Sequence, residues 1–116
     1  MDETTKPGDA PRKGWYLRVF VSEKDRHDGR PTYDWLLDTA RALQVRGGSV
    51  IRAAAGYGRR GTLRDEGFFE LAGELPMEVG FVLDAAGRDA LLKAIAEAGL
   101  SLFYCCSEVE FGVTGA

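Results

Sequence analysis

Histidine is almost missing from this chain. There is one, His27, and cysteine is confined to the neighbours Cys105 and Cys106 among 116 residues. A metal site built from imidazole and thiolate therefore has too few ligands. Acid–base catalysis by paired histidines is excluded, and there is neither a serine elbow nor a cluster of carboxylates to replace it. The two cysteines fall in one expected strand, where successive side chains point to opposite faces, so they are poorly placed to bond to each other. Reduced thiols in a cytosolic setting are the expectation. No apolar run is long enough to cross a bilayer. Nor is there an excess of positive charge: the net charge is −3. That argues against non-specific nucleic-acid binding, which depends on a basic surface.

What the chain has is the balance of an ordinary globular domain, 45% hydrophobic and 28% charged, in a length that suits one core. Residues 1–14 are polar and rich in Pro and Gly, carry no apolar signal segment, and are expected to form a disordered tail ahead of a domain over 15–114. Residues 15–22 (WYLRVFVS) alternate and predict a first strand. Residues 23–30 read as a polar turn. Pro31 suits the first position of a helix over 31–44, in which Tyr33, Leu36, Leu37, Ala40 and Leu43 recur at helical spacing. Gly47 and Gly48 are expected to end it. Residues 49–55 predict a second strand and 75–83 a third, with Pro76 at its beginning and Met77, Val79, Phe81 and Leu83 on one face. Asp84 is positioned to cap a second helix over 85–98, stopped by Gly99. Residues 102–113 predict the last strand.

The order strand, helix, strand, strand, helix, strand predicts an α+β fold: the ferredoxin-like βαββαβ sandwich, a four-stranded antiparallel sheet with both helices on one face. Simple alternation assigns Tyr16, Arg18, Phe20, Arg52, Glu78, Glu108 and Glu110 to the other face. Charges of both signs among aromatics suit burial against another subunit with each charge paired; a solvated sheet face is the plainer alternative. Arg52 is expected to pair with Glu78 or Glu108, with a ligand as the other partner.

Four groups of residues bear on chemistry. The connection over 56–76 (GYGRRGTLRDEGFFELAGELP) is too long for a hairpin turn. Gly56, Tyr57 and Gly58 with Arg59, Arg60 and Arg64 form a candidate anion-binding loop, since glycine lets backbone amides approach closely and arginine grips phosphate through paired donors. A Gly-x-Gly with neither a following helix nor a Gly-Lys-Ser/Thr ending fits no established phosphate motif. Gly87 and Arg88 lie at the start of the second helix, where free amides and the dipole favour an anion. Glu23, Lys24, Asp25 and His27 form a polar turn, read as solvated or as subunit contacts rather than catalytic. Arg52 is the fourth.

The segments LRVFVSEKD, GRPTYDWLLDTARAL, GGSVIRAAAGYG, ELP and VLD, taken in order over residues 17–113, resemble the PII-like family formerly catalogued as a domain of unknown function. They match its first strand and Glu-x-Asp turn, its Gly-Lys-Pro-Leu-Tyr helix, its Gly-Ala-x-Val-x-Arg-Gly-x-x-Gly-Phe-Gly signature, and its Asp-Leu-Pro and Val-Asp elements. The family is related in fold to the PII nitrogen-signalling proteins. The resemblance implies a homotrimer whose intersubunit clefts bind an adenine nucleotide (AMP, ADP, ATP or a cyclic dinucleotide). The long loop then orders on binding and reports to a partner, a membrane transporter or an enzyme. By the same resemblance Glu23, Lys24, Gly87 and Arg88 join the loop residues as ligand contacts, Arg88 at a basic position that helps hold phosphates. The family's loop Ile-His pair is replaced here by Leu63-Arg64, which leaves an arginine where the histidine stands, and Tyr57 replaces phenylalanine. Two other functions share the topology. An acylphosphatase-type enzyme would need a glycine-rich arginine loop after the first strand, and the turn EKDRHDGR does not match it. An RNA-recognition module would need stacking aromatics on the first and third strands; the third offers only Phe81, placed on the helix side.

Overall fold

Alternation in the first strand sets the whole sheet. In the computed structural model, which describes residues 5–53, 55–57, 63–65 and 76–115, β1 (Arg12–Ser22) runs antiparallel to both β7 (Pro76–Leu83) and β8 (Phe103–Phe111). β4 (Gly48–Arg52) adds to the far side of β7, giving the order β4-β7-β1-β8. Leu17, Val19 and Val21 on β1 and Met77, Val79, Phe81 and Leu83 on β7 fill one face. Two helices close over it. α1 (Thr32–Ala42) contributes Leu36 and Ala40, and α2 (Ala85–Glu97) contributes Leu91 and Ile95. This is the βαββαβ sandwich that the element order implied, with one core between sheet and helices.

The helix ends follow from local chemistry. Asp84 caps α2, its carboxylate accepting from the Gly87 amide at 2.7 Å. Gly99, at φ +76, turns the chain at the other end, and the Leu100 amide reaches back to the Ile95 carbonyl, the six-to-one bond of a Schellman stop. α1 ends differently from expectation. Gln44, not a glycine, takes the left-handed conformation (φ +67), and the Val45 amide returns to the Ala40 carbonyl. Gly48 is thereby free to start β4. The turn after β1 is also more ordered than expected. β2 (Arg26–His27) and β3 (Arg30–Pro31) form a two-residue ladder around Asp28-Gly29, both at positive φ. An Asp-Gly pair of this kind is the signature of a tight primed hairpin. His27 from this hairpin packs edge-on against Trp35 of α1, with ring centroids 4.9 Å apart.

β1 starts at Arg12, so residues 12–14 of the segment expected as a tail are strand, paired with the end of β8. Ahead of them the Gly8 amide donates to the Val113 carbonyl.

Register corrects three face assignments. Ile51 stands opposite Glu78, and Arg52 opposite the core residue Met77. Arg52 is therefore on the helix side of the sheet, and Ile51 takes its place on the open face. Likewise Leu17 is opposite Cys106, Trp15 opposite Glu108 and Lys13 opposite Glu110. The unbroken register through β1 and β8 puts both glutamates on the helix side, while Val109 and Phe111 share the open face with Gly14 and Arg12. The open face is more apolar than alternation alone suggested.

Thr32 is buried at 1% exposure, and its hydroxyl has no hydrogen-bond partner among the described residues. It stands where the Gly-Lys-Pro-Leu-Tyr pattern has leucine. An unpaired buried hydroxyl costs about 1–3 kcal/mol, and valine keeps its shape. Thr32→Val is expected to raise unfolding free energy by about 1 kcal/mol and Tm by about 4 °C. Thermal denaturation checks this, and an unchanged or lower Tm would show that the hydroxyl is satisfied.

Candidate functional site

Antiparallel pairing gathers several chain ends at one pole of the sheet. Ser22 is opposite Pro76, Arg52 opposite Met77, and Phe20 opposite Phe103. The ends of β1 and β4 and the beginnings of β7 and β8 therefore meet there. The Glu23–Asp25 turn and the long connection after β4 both leave from this pole. The Ala53 amide donates to the Pro76 carbonyl at 3.0 Å and pins the two ends of that connection together.

Within the turn, the Asp25 carboxylate accepts from the Ser22 amide at 2.9 Å, and the Lys24 amide donates to the Ser22 hydroxyl at 3.4 Å. Glu23 is left facing β4. Its Oε1 meets Arg52 Nη2 at 2.8 Å. This overturns the expected pairing of Arg52 with Glu78 or Glu108: Glu78 is on the open face, where it holds Arg18 at 3.5 Å, and Glu108 lies across the sheet opposite Trp15. The connection itself carries a ladder. β5 (Ala55–Tyr57) pairs with β6 (Leu63–Asp65), and Gly56 falls opposite Arg64. Gly56, Tyr57 and Arg64 are thus on one short hairpin rooted beside Glu23, Lys24 and Arg52. Gly58, Arg59 and Arg60 lie outside the described residues.

Gly87 and Arg88 are at the opposite pole. The run of β1 from Trp15 to Ser22, at about 3.3 Å per residue, separates the two ends by roughly 23 Å. The Gly87 amide is already bonded to Asp84, so a carboxylate holds the position where an anion was expected. The Arg88 guanidinium lies 4.3 Å above the Trp15 ring and donates to Asp89 at 3.0 Å. Its pKa is pushed above the ordinary arginine value, chiefly by that hydrogen bond. Within one chain, Gly87 and Arg88 do not join the loop residues.

One feature escaped the sequence, and a second was legible only in part. A surface hollow of about 470 Å³ lies between α1 and the start of β4, floored by Phe81 and rimmed by the Arg30–Asp38 ion pair. The open sheet face carries exposed Ile51, Val82 and Phe103, with Phe20 packed 5.7 Å from Phe103 between ring centroids. Cys105 is on this face opposite Arg18, Cys106 is on the other side, and both are free thiols. No helix among the described residues is long and apolar enough to cross a membrane.

Residues 14–110 match the profile of the DUF190 family, described as an uncharacterized ACR. A UPF0166 protein of Aquifex aeolicus (strain VF5) is 38% identical over 66 residues, covering 57% of this chain and 63% of that protein. The chain thus matches less than two thirds of this relative's length. Among solved structures, CPII of Thiomonas intermedia K12 bound to ADP and bicarbonate superposes with a TM-score of 0.65 at 10% identity. The match covers 89% of this chain and 92% of that one. CPII is a nitrogen regulatory PII-like protein, and its form bound to ADP, AMP and bicarbonate gives 0.67 with the same identity and coverage. At this identity the likeness is one of fold.

Proposed function

The chain belongs to the DUF190 family and has a PII-like ferredoxin-like fold, and from that premise we propose that it is a trimeric sensor of an adenine nucleotide, acting in the cytoplasm and not as an enzyme. Three copies pack through the open sheet face. The nucleotide sits in the clefts between them, its phosphates facing the pole that carries Lys24, Arg52 and the hairpin with Gly56 and Arg64. Binding orders the connection over 56–76, whose state is read by a partner protein, a membrane transporter or an enzyme. An order–disorder switch of this kind requires the ligand to favour the ordered state.

One observation carries this reading. The glycine- and arginine-bearing connection is rooted at the same pole as Arg52 and the turn with Lys24. PII-like proteins of the same fold are bound to ADP, which supports this ligand class. Gly87 and Arg88 enter the proposal only as contacts supplied from the neighbouring chain, since their pole is remote in their own. The RNA reading loses its platform because Phe81 is buried under the helices, and no nucleic acid is proposed as a partner.

The test is a melting screen against AMP, ADP, ATP and cyclic dinucleotides, with and without bicarbonate, beside a native mass. A ligand at about a hundred times its Kd stabilises by about 2.7 kcal/mol, which raises Tm by roughly 10 °C in a chain of this size. A three-chain mass and a shift of this order with at least one nucleotide are expected. No shift with any of them would sink the proposal.

A further inference from the structure

The Glu23–Arg52 ion pair has a role that neither residue has alone. Arg52 is the last residue of β4 and the final charged group before the chain enters the glycine- and arginine-bearing connection. Its side chain is 50% exposed, and that of Glu23 is 30% exposed. Arg52 is therefore held at the surface by a carboxylate, not sealed in the core. Its backbone neighbour across the ladder is Met77, which gives the guanidinium no polar alternative on β7. Asp25, the other carboxylate of the turn, is committed to the Ser22 amide. Glu23 is thus an internal anion seated on the arginine that an external anion at this pole would take.

We propose that Glu23 is a resident competitor for Arg52, and that binding of a phosphate-bearing ligand exchanges the Glu23 carboxylate for the ligand's anionic oxygens. This rests on the nucleotide reading above and adds what sets the affinity. Both paired-donor forks of a guanidinium use Nη2, the group that Glu23 holds, so a phosphate gripped through either fork competes with Glu23 for that group. The exchange leaves the charge balance of Arg52 intact and releases Glu23 to water. Ligand binding thereby uncouples the turn after β1 from the root of the long connection. A half-exposed ion pair is weak, so the competitor tunes affinity and does not block binding.

The test measures the Kd for ADP, in bicarbonate buffer, by calorimetry on the wild type, Glu23→Gln, Arg52→Gln and the double variant. The surface changes leave folding within about 0.5 kcal/mol. Glu23→Gln is expected to bind ADP about two- to five-fold more tightly, the range set by an exposed ion pair. Arg52→Gln is expected to bind about ten-fold or more weakly, as loss of a charge-assisted contact implies. In the Arg52→Gln background the gain from Glu23→Gln must vanish. A gain that persists there is a general charge effect and overturns the competition. Wild-type binding with no gain in Glu23→Gln overturns this inference alone. ADP bound by neither protein overturns the competition for ADP; the nucleotide reading itself falls only when AMP, ATP and the cyclic dinucleotides also give no shift in Tm.

Discussion

Phe81→Ala is expected to lower the unfolding free energy by about 3–5 kcal/mol, and Tm by roughly 12–20 °C. Phe81 is the largest fully buried side chain among the described residues, 1% exposed. It sits on β7 between Leu17 of β1 and Gly48 of β4. Its ring fills the space where Gly48 would carry a side chain: a Cβ built there meets Cε1 at 2.7 Å and Cδ1 at 2.9 Å. Truncation therefore opens a cavity and also removes the surface on which the first residue of an edge strand rests. A chain of this length has a total stability of roughly 6–17 kcal/mol, so the loss is a large part of it. The complementary change makes the argument sharper. Gly48→Ala is expected to cost about 1–3 kcal/mol, since the buried ring and Leu37 cannot move away freely. With the ring gone, the same methyl has room, so the double variant should be more stable than the two losses added together. Urea unfolding of the four proteins measures this. Strict additivity would show that the ring does not dictate the glycine.

That coupling marks where the sequence was legible and where it was not. Alternation in β1 and helical spacing in α1 were written plainly, because buried strands and amphipathic helices repeat with fixed periods. Asp84 and Gly99 were legible as cap and stop for the same local reason. The left-handed Gln44 was not: two glycines stood just beyond it, and local preference pointed to them. The Asp28-Gly29 pair is a strong local turn signal, and the polar residues on either side of it mask the short ladder that it closes.

Face assignment failed in β8 for a different reason. Period two says that Glu108 and Glu110 share a face, but not which one. Counting back in steps of two from Glu108 through Cys106 and Tyr104 to Leu102 would have tied them to the helix side. Arg52 was misplaced in the same way, by one position relative to Ile51. The candidate site suffered most, because its residues are joined by register and not by sequence proximity. Nothing in the chain states that Glu23 and Arg52 meet; two antiparallel pairings bring them to one pole. The same pairings carry Gly87 and Arg88 to the other.

Val82→Asp is expected to convert the proposed three-chain species to the single 12.7 kDa chain, with its circular dichroism unchanged. Val82 is 42% exposed on the open face, opposite Tyr16. Further along the same face, past Gly80 and Arg18, Ile51 on β4, Phe20 on β1 and Phe103 on β8 add apolar surface at the Glu78 end. In an isolated chain an aspartate there reaches water and costs no more than about 1 kcal/mol of strand preference. Between packed sheets it is a buried carboxylate without a partner, because Arg18, two positions along β1 from the Tyr16 that faces Val82, is already paired with Glu78. Such a charge costs several kcal/mol, and an assembly of three copies carries it three times. Neutral Val82→Thr separates charge from shape: it should keep the three-chain mass, or most of it. A site shared between subunits must then lose its ADP-dependent rise in Tm in Val82→Asp and keep it in Val82→Thr. Retention of the three-chain mass by Val82→Asp would show that the copies meet elsewhere. A single chain that still responds fully to ADP would show that one copy holds the whole site, and the remoteness of Gly87 and Arg88 would then exclude them from it.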